Sequence, residues 1–344
     1  MMKPNSARVW LGSPNRAGDN RFVDAVLGHL PITVADALDL AAQLGSIGAV
    51  PGRGETLEVW EALATLGAFD LGAVRAVEPH LDAVAILEQA GADPAPGSWG
   101  VFAAEGGGDP LIATRMGSGW MLNGTKPWCS LAATLDRALV TAQIGETRGL
   151  FSVELGSPGV SVIKGEWHAR GLTEIASGPV RFAEARASAV GEPGWYISRP
   201  GFSWGGVGVA ACWYGGAVAV ARTMYSASVA RPDDQMLLMH LGAVDEILQS
   251  ARRALVEAAT IIDARVDEHH DERILAKRVR ATVARAVDEV IIRSGRALGP
   301  APLASNNGHA KRIADLTLYV RQHHAERDEI SLGRAIAEQK NLPW

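Results

Sequence analysis

Between Trp99 and Ala142 the chain reads WGVFAAEGGGDPLIATRMGSGWMLNGTKPWCSLAATLDRALVTA, short apolar runs alternating with glycine-rich turns. This spacing predicts a β meander inside a chain that is otherwise mostly helical. Glu105-Gly106-Gly107-Gly108-Asp109 is a glycine turn edged with carboxylates. Gly119 to Lys126 predicts a hairpin, an apolar strand followed by Asn123-Gly124, the dipeptide that supports positive φ in a tight turn. Trp128-Cys129-Ser130 comes next, and in an extended strand its indole and hydroxyl share one face. Two readings stand at this point: a planar cofactor lies against that face, or the segment is a barrel strand with one core tryptophan.

The flanks are helical, so the expected class is α+β. Residues 1–95 hold several short helices, at Ala35–Leu44, from Gly54 to Trp60 with Thr56 as N-cap, and at Glu78–Gln89. Pro79 suits the first turn of the last, and Gly91 ends it. His80 reads as a satisfied, partly buried histidine. The Pro/Gly run Gly91 to Gly97 marks a boundary, and residues 96–196 form the β region, closed by Gly191-Glu192-Pro193-Gly194. Its expected strands are Gly100–Ala104, Trp120–Leu122, Arg137–Ala142, Leu150–Val153, Val160–Ile163 and Pro179–Ala183, in a barrel or a sandwich. Residues 197–344 return to helical periodicity. Long helices at Gly206–Val229, Leu237–Ile262, Asp271–Ala297 and Ala310–Glu338, joined by short turns, predict a four-helix bundle.

Within that region Gly205 to Ala221 carries no charge and is rich in Gly and Ala. It is marginal in length for a membrane span and reads as a helix packed on all sides. The formal net charge of −5, with no Lys/Arg cluster, argues against a nucleic-acid partner. Cys129 and Cys212 have neither disulfide-framework nor zinc spacing. His269-His270-Asp271-Glu272 reads as a solvated turn and not as a metal site. No signal peptide is read ahead of the first helical pattern, and a cytoplasmic protein without membrane contact is expected.

Helices, a β barrel and a helical bundle, in that order, resemble the acyl-CoA dehydrogenase family of flavoproteins. The resemblance runs from about Gly54 onward and rests on several motifs. Ala104 to Asp109 is similar to a shortened Thr-Glu-Pro-x-x-Gly-Ser-Asp loop, without its Thr, Pro and Ser. Leu122-Asn123-Gly124-Thr125-Lys126-Pro127-Trp128-Cys129-Ser130 resembles the family's Leu-Asn-Gly-x-Lys-x-Trp-Ile-Thr strand. Arg170-Gly171-Leu172-Thr173 and Val180-Arg181-Phe182 resemble the last barrel strands, and Asp315 matches the Arg-Asp-Ala that follows the Gly-Gly loop. The resemblance implies FAD, with Trp128 packed on the isoalloxazine and Ser130 near N5. It also implies a homodimer or homotetramer in which a partner copy helps to hold pyrophosphate and adenine. Arg231, Arg296 and Gly299 fall at those positions, although Pro232-Asp233-Asp234 replaces the usual Phe and Gly, and Gly299-Pro300 replaces Gly-Gly.

The family's catalytic base is a Glu at one of two positions. In this chain one falls at His323 and the other near Gly208, and neither is a carboxylate. His323 and Glu326, about one helical turn apart, are the remaining candidates on that segment. His323 and His324 also suit plain pairing with the acids around them on an exposed face. Three readings follow: a dehydrogenase using Glu326 or His323, a flavin monooxygenase or oxidase using Ser130 and His323, or a structural or regulatory homologue without catalysis. The short N-terminal helical stretch further disfavours a long fatty acyl chain. The expected partner is a small-molecule substrate, in one version a CoA thioester.

Overall fold

The computed structural model describes residues 7–12, 19–106, 108–165, 167–199, 201–264 and 271–339. Among the described residues the helices α1 (Arg21–Gly28), α2 (Val34–Ser46), α3 (Thr56–Phe69) and α4 (Leu71–Gln89) precede the strands. Asn20 caps α1 by accepting from the Phe22 and Val23 amides, and Thr33 with Asp36 forms a reciprocal capping box at α2. Helix α3 is capped differently. Thr56 is its first helical residue and not its N-cap, and Asp263, 207 residues away, accepts from the Thr56 amide. Helix α4 begins at Leu71 and not at Glu78, because Asp70 ends α3 and accepts from the Ala73 amide. Pro79 therefore lies inside the helix. It removes the bond its amide would give the Arg75 carbonyl, a defect of about 3 kcal/mol in a helix interior. Burial of most of α4 between Leu71 and Leu87 offsets that cost.

Seven strands follow: β1 (Trp99–Phe102), β2 (Ile112–Met116), β3 (Gly119–Lys126), β4 (Arg137–Ile144), β5 (Thr147–Glu154), β6 (Val160–Val162) and β7 (Val180–Ala189). Strands β4, β5, β7, β3 and β2 pair in a closed ring, sealed by Ile112 opposite Gln143. The outcome is a small barrel and not a sandwich. Strand β1 lies parallel to β4, and β6 adds to the start of β7. The β2–β3 hairpin turns at Gly117-Ser118, with Met116 opposite Gly119. Asn123-Gly124 is not a turn. It is an irregularity inside β3, where the register with β7 shifts between Leu122 and Gly124 and the Asn123 side chain accepts from the Glu184 amide. Nor does the strand reach Ser130: β3 ends at Lys126, and Trp128 has φ +59.

The C-terminal region is helical: α5 (Trp195–Ser198), α6 (Gly201–Ala230), α7 (Gln235–Ala264), α8 (Glu272–Leu298), α9 (Ala301–Ser305), α10 (Asn307–Tyr319) and α11 (Glu326–Ala337). The continuous helix expected over Ala310–Glu338 is broken. A 3-10 turn at Val320–Gln322 leads into extended His323, and Ala325 has φ +46 before α11 starts. His269 and His270 lie outside the described residues, and Asp271 caps α8.

Helix α6 is the chain's central strut. By length and composition it is apolar enough to cross a membrane, yet 67% of its most apolar window is buried inside the protein. It crosses α3 with the backbones nearly touching. A Cβ on Gly67 would lie 2.6 Å from the Cys212 carbonyl oxygen, and one on Gly215 would lie 2.0 Å from that of Ala64. Both helices lie in one core that includes Trp60, Leu63, Trp213 and Val220. Gly215→Ala is therefore expected to lower stability by about 1–3 kcal/mol through overpacking. Gly242→Ala, where an added Cβ meets nothing within 4 Å, should raise it by up to about 1 kcal/mol through helix propensity. Urea unfolding of the two variants measures both, and equal midpoints would refute the crossing.

Candidate active site

The bend after β3 is held against the loop before β7. The Cys129 amide donates to the Gly178 carbonyl (3.0 Å), and the Leu131 amide to that of Ala176 (2.8 Å). Cys129 is turned inward, and burial pushes its thiol up to about 12, so it is inert at neutral pH. Trp128 is left 58% exposed on the outer side of the bend. A strap crosses beside it: buried Lys126 donates to Glu105 (2.9 Å) and Thr141 (2.8 Å), and a Cβ on Gly106 would meet Pro127 at 2.9 Å.

Ser130 faces the helices. The Ser177 hydroxyl gives its one proton to the Ile175 carbonyl (2.9 Å), so in the 2.7 Å contact between the two serines Ser130 is the donor. Ser130 Oγ then accepts from the Arg75 guanidinium at 3.0 Å. Arg75 thus links α4 to the barrel, and its guanidinium lies 5.8 Å from the Tyr319 ring centroid. Arg75, Ser130, Leu131, Leu135 and β1 enclose a void of only about 10 Å³.

Beneath Arg75 the α4 face continues with Glu78 and Asp82. Glu78 is 8% exposed, and its carboxyl makes no hydrogen bond or salt bridge among the described residues. Burial, with Asp82 beside it, pushes this carboxyl up to about 8 against the pull of Arg75 and Arg280. Arg280 of α8 donates to the Gly206 carbonyl (2.7 Å) and the Gln322 carbonyl (2.9 Å), with its guanidinium 4.9 Å from the Trp213 ring. Glu78, Asp82, Arg199, Trp204 and Gly208 line a partly open cavity of about 30 Å³, room for a water-sized group.

The sequence-derived residues are only partly united. His323 is buried, its Nδ1 accepts from the Ala325 amide (3.2 Å), and its Nε2 has no hydrogen bond. Burial lowers its pKa, so the ring is neutral at pH 7. It is not on an exposed face; His324 is, 3.6 Å from Asp328. Glu326 is exposed at the start of α11, and the Ala325 bend keeps it off the helical turn it was expected to share with His323. Arg231 pairs with Asp234 (2.9 Å) in the α6–α7 turn, Arg296 is exposed near the end of α8, and Gly299 ends α8 with φ +69. No hydrogen bond or salt bridge ties these three to Trp128 or Ser130 among the described residues. Arg75, Glu78, Ser177, Arg280 and Tyr319 escaped the sequence reading. The available signal was Arg75, Glu78 and Asp82 at helical spacing in an otherwise apolar helix.

A helical N-terminal region, a closed barrel, a helical C-terminal region and a site at their junction make this an acyl-CoA dehydrogenase-like fold. Butyryl-CoA dehydrogenase from Megasphaera elsdenii is similar with TM-score 0.79 and 16% identity, covering 94% of this chain and 99% of that one. Glutaryl-CoA dehydrogenase from Mycobacterium smegmatis, in complex with FADH2, has TM-score 0.78 and 15% identity, covering 96% of each chain. TdsC from Paenibacillus sp. A11-2, a dibenzothiophene monooxygenase seen with FMN and indole, has TM-score 0.73 and 18% identity, covering 99% of this chain and 96% of that one. No family model matches the chain, and no curated protein does.

Two buried groups on α4 make stability depend on pH in opposite senses. His80 accepts from the Trp99 amide (3.2 Å), and burial lowers its pKa to about 4, so stability rises as pH climbs from about 4 to 6.5. The raised Glu78 binds a proton that the unfolded chain releases near 4.5, so stability falls as pH climbs toward 8. Above about pH 6.5 the His80 effect is complete and the Glu78 effect remains, with a ceiling of about 1.4 kcal/mol per pH unit for one proton. Glu78→Gln should flatten the decline between pH 6.5 and 8 in urea titrations. A decline equal to wild type would remove Glu78 as its cause.

Proposed function

We propose that this chain is a flavin-dependent oxidoreductase acting on a small molecule that is not an ordinary fatty acyl-CoA. The observation that carries the reading is the Trp128–Ser130 bend, an exposed indole beside a hydroxyl held by Arg75 and Ser177. These residues fit a planar, edge-polar ring. Trp128 supplies a large apolar face, and Ser130 with Arg75 supplies hydrogen bonds at its rim. A bound flavin supplies two-electron chemistry, as hydride acceptor or as partner of oxygen.

The other residues orient and exclude. The strap from Glu105 to Lys126 holds the bend rigid, and Arg280 fixes the Gln322–His323 turn through the Gln322 carbonyl. Neutral His323 accepts from the Ala325 amide at Nδ1, so its proton sits on Nε2, 3.8 Å from Asp328, and the ring is retained as a proton-donating group in the interior. Glu326 is set aside, because its exposed side chain and the Ala325 bend separate it from that interior. The cavity of about 30 Å³ beside Glu78 suits a small substrate group better than a long acyl chain. Full FAD is the form we propose, since it alone uses Arg231, Arg296 and Gly299, contributed by a second copy in a homodimer or homotetramer. FMN would leave all three without a task.

Purified protein should show a band at about 450 nm after reconstitution, with FAD bound more tightly than FMN. Trp128→Ala should weaken flavin binding at least tenfold while the far-UV spectrum stays unchanged. A protein that takes up neither flavin is not an oxidoreductase of this type, and the structural or regulatory reading then stands. With flavin bound, anaerobic bleaching by short acyl-CoAs marks a dehydrogenase; reductase-dependent oxygen consumption marks a monooxygenase.

A further inference from the structure

The carboxylate missing from both expected positions has a counterpart on a different element. Glu78 projects from α4 one turn after Arg75, whose guanidinium bonds the proposed flavin contact Ser130. Its carboxyl is buried, without hydrogen bond or salt bridge among the described residues, and it lines a cavity.

A further unmet polar group lies on the cavity lining. Arg199 is 4% exposed and ties its guanidinium to Asp82 (3.6 Å) and Gln89 (2.8 Å), yet its Nε has no partner. Trp204 is on the same lining, with its indole N–H directed at Glu272. The Arg199 Nε–H is a donor, and a neutral Glu78 adds a second. The charged and titratable groups acting on Glu78 come from every wall: Arg75 and Asp82 on α4, Tyr196 on α5, Cys212 on α6, Arg280 on α8 and Tyr319 on α10. Donors on the lining of one small cavity suit a ligand with an acceptor oxygen.

We propose that Glu78 is the acid–base residue of this site, exchanging a proton with a small carbonyl-, carboxyl- or amide-bearing substrate whose oxygen enters the cavity between α4 and α6. The proposal rests on the oxidoreductase reading for its catalytic meaning. The step itself is a proton transfer alone. A substrate hydrogen leaves as H⁺ to a Glu78 carboxylate oxygen, its bonding electron pair stays with the substrate, and the reverse returns the same proton. No oxidant takes part.

Full-length protein labelled with 13C at the glutamate carboxyl, without flavin, tests this directly. One carboxyl resonance should titrate near pH 8 and be absent in Glu78→Gln. Acetamide and acetate serve as probes. Both should shift that resonance at pH 7, and acetate affinity should fall about tenfold per pH unit above pH 8 in wild type, because each step removes the bound proton. In Glu78→Gln, acetamide should still bind, and acetate binding should not vary with pH. A Glu78 resonance that titrates in the ordinary carboxylate range, or one that neither probe moves, overturns the proposal. These readouts need no flavin, so a missing 450 nm band defeats the oxidoreductase reading alone, and a silent resonance defeats Glu78 alone.

Discussion

Two helix backbones in direct contact set the frame of this protein. Where α3 crosses α6, Gly67 lies against the Cys212 carbonyl and Gly215 against that of Ala64, with no space for any side chain. Glycine weakens a helix by about 1 kcal/mol per residue, and α6 carries several. The cost is recovered because close approach brings whole helix faces into van der Waals contact and lets α6 be buried on nearly every side. Trp213 and Cys212 are thereby fixed at the level of Tyr319, and Gly208 at the level of Trp60. The interior walls of the site are set by that crossing.

The barrel is brought to this frame by polar contacts between distant segments. Lys311 on α10 bridges Asp70 at the α3–α4 junction (3.0 Å), Glu174 in the loop before β7 (2.8 Å) and Asp315 (2.6 Å). Asp315 also accepts from the Leu172 amide at 2.6 Å, and a Cβ on Gly171 would sit 2.1 Å from the Ala314 carbonyl oxygen. The Arg170–Thr173 and Arg312–Asp315 motifs, separate in the sequence, are thus two sides of one contact. It holds the 175–178 loop in place, and that loop carries Ser177 and the carbonyls that shape the Trp128–Ser130 bend. Rigidity at Ser130 is inherited from salt bridges formed well away from it.

Much of the fold was legible because its signals are local. Alternating apolar runs located six of the seven strands, and the Gly/Ala run announced the central helix. The misreadings share a cause. Asn123-Gly124 has the dihedral freedom of a turn, but the pairing of β3 with β7 continues across it and absorbs it as a bulge. Pro79 suits a first turn, yet Asp70 starts the helix earlier and packing carries the proline inside. Thr56 suits an N-cap, yet Asp263 supplies the cap from another helix. Each local preference was real and was overruled by a contact with remote sequence. At the site, Trp128 and Ser130 were found from their motif; Glu78 and Arg280 were not, because burial without a partner is a property of surroundings.

The sequence by itself determined the order of helices, barrel and helices, the strand periodicity, and the indole and hydroxyl of the Trp99–Ala142 stretch. These follow from side-chain pattern and backbone preference, which act over a few residues. Only the tertiary structure decided that Trp128 faces outward on a left-handed bend and that Ser130 answers to Arg75. It alone decided that His323 is buried and parted from Glu326 by a break in the chain, and that an unpaired carboxyl from α4 occupies the interior. Charge state, exposure and hydrogen-bond partners are set by what packing brings within a few ångströms, and those neighbours come from segments some tens of residues apart, 55 between Arg75 and Ser130 and 42 between Arg280 and Gln322.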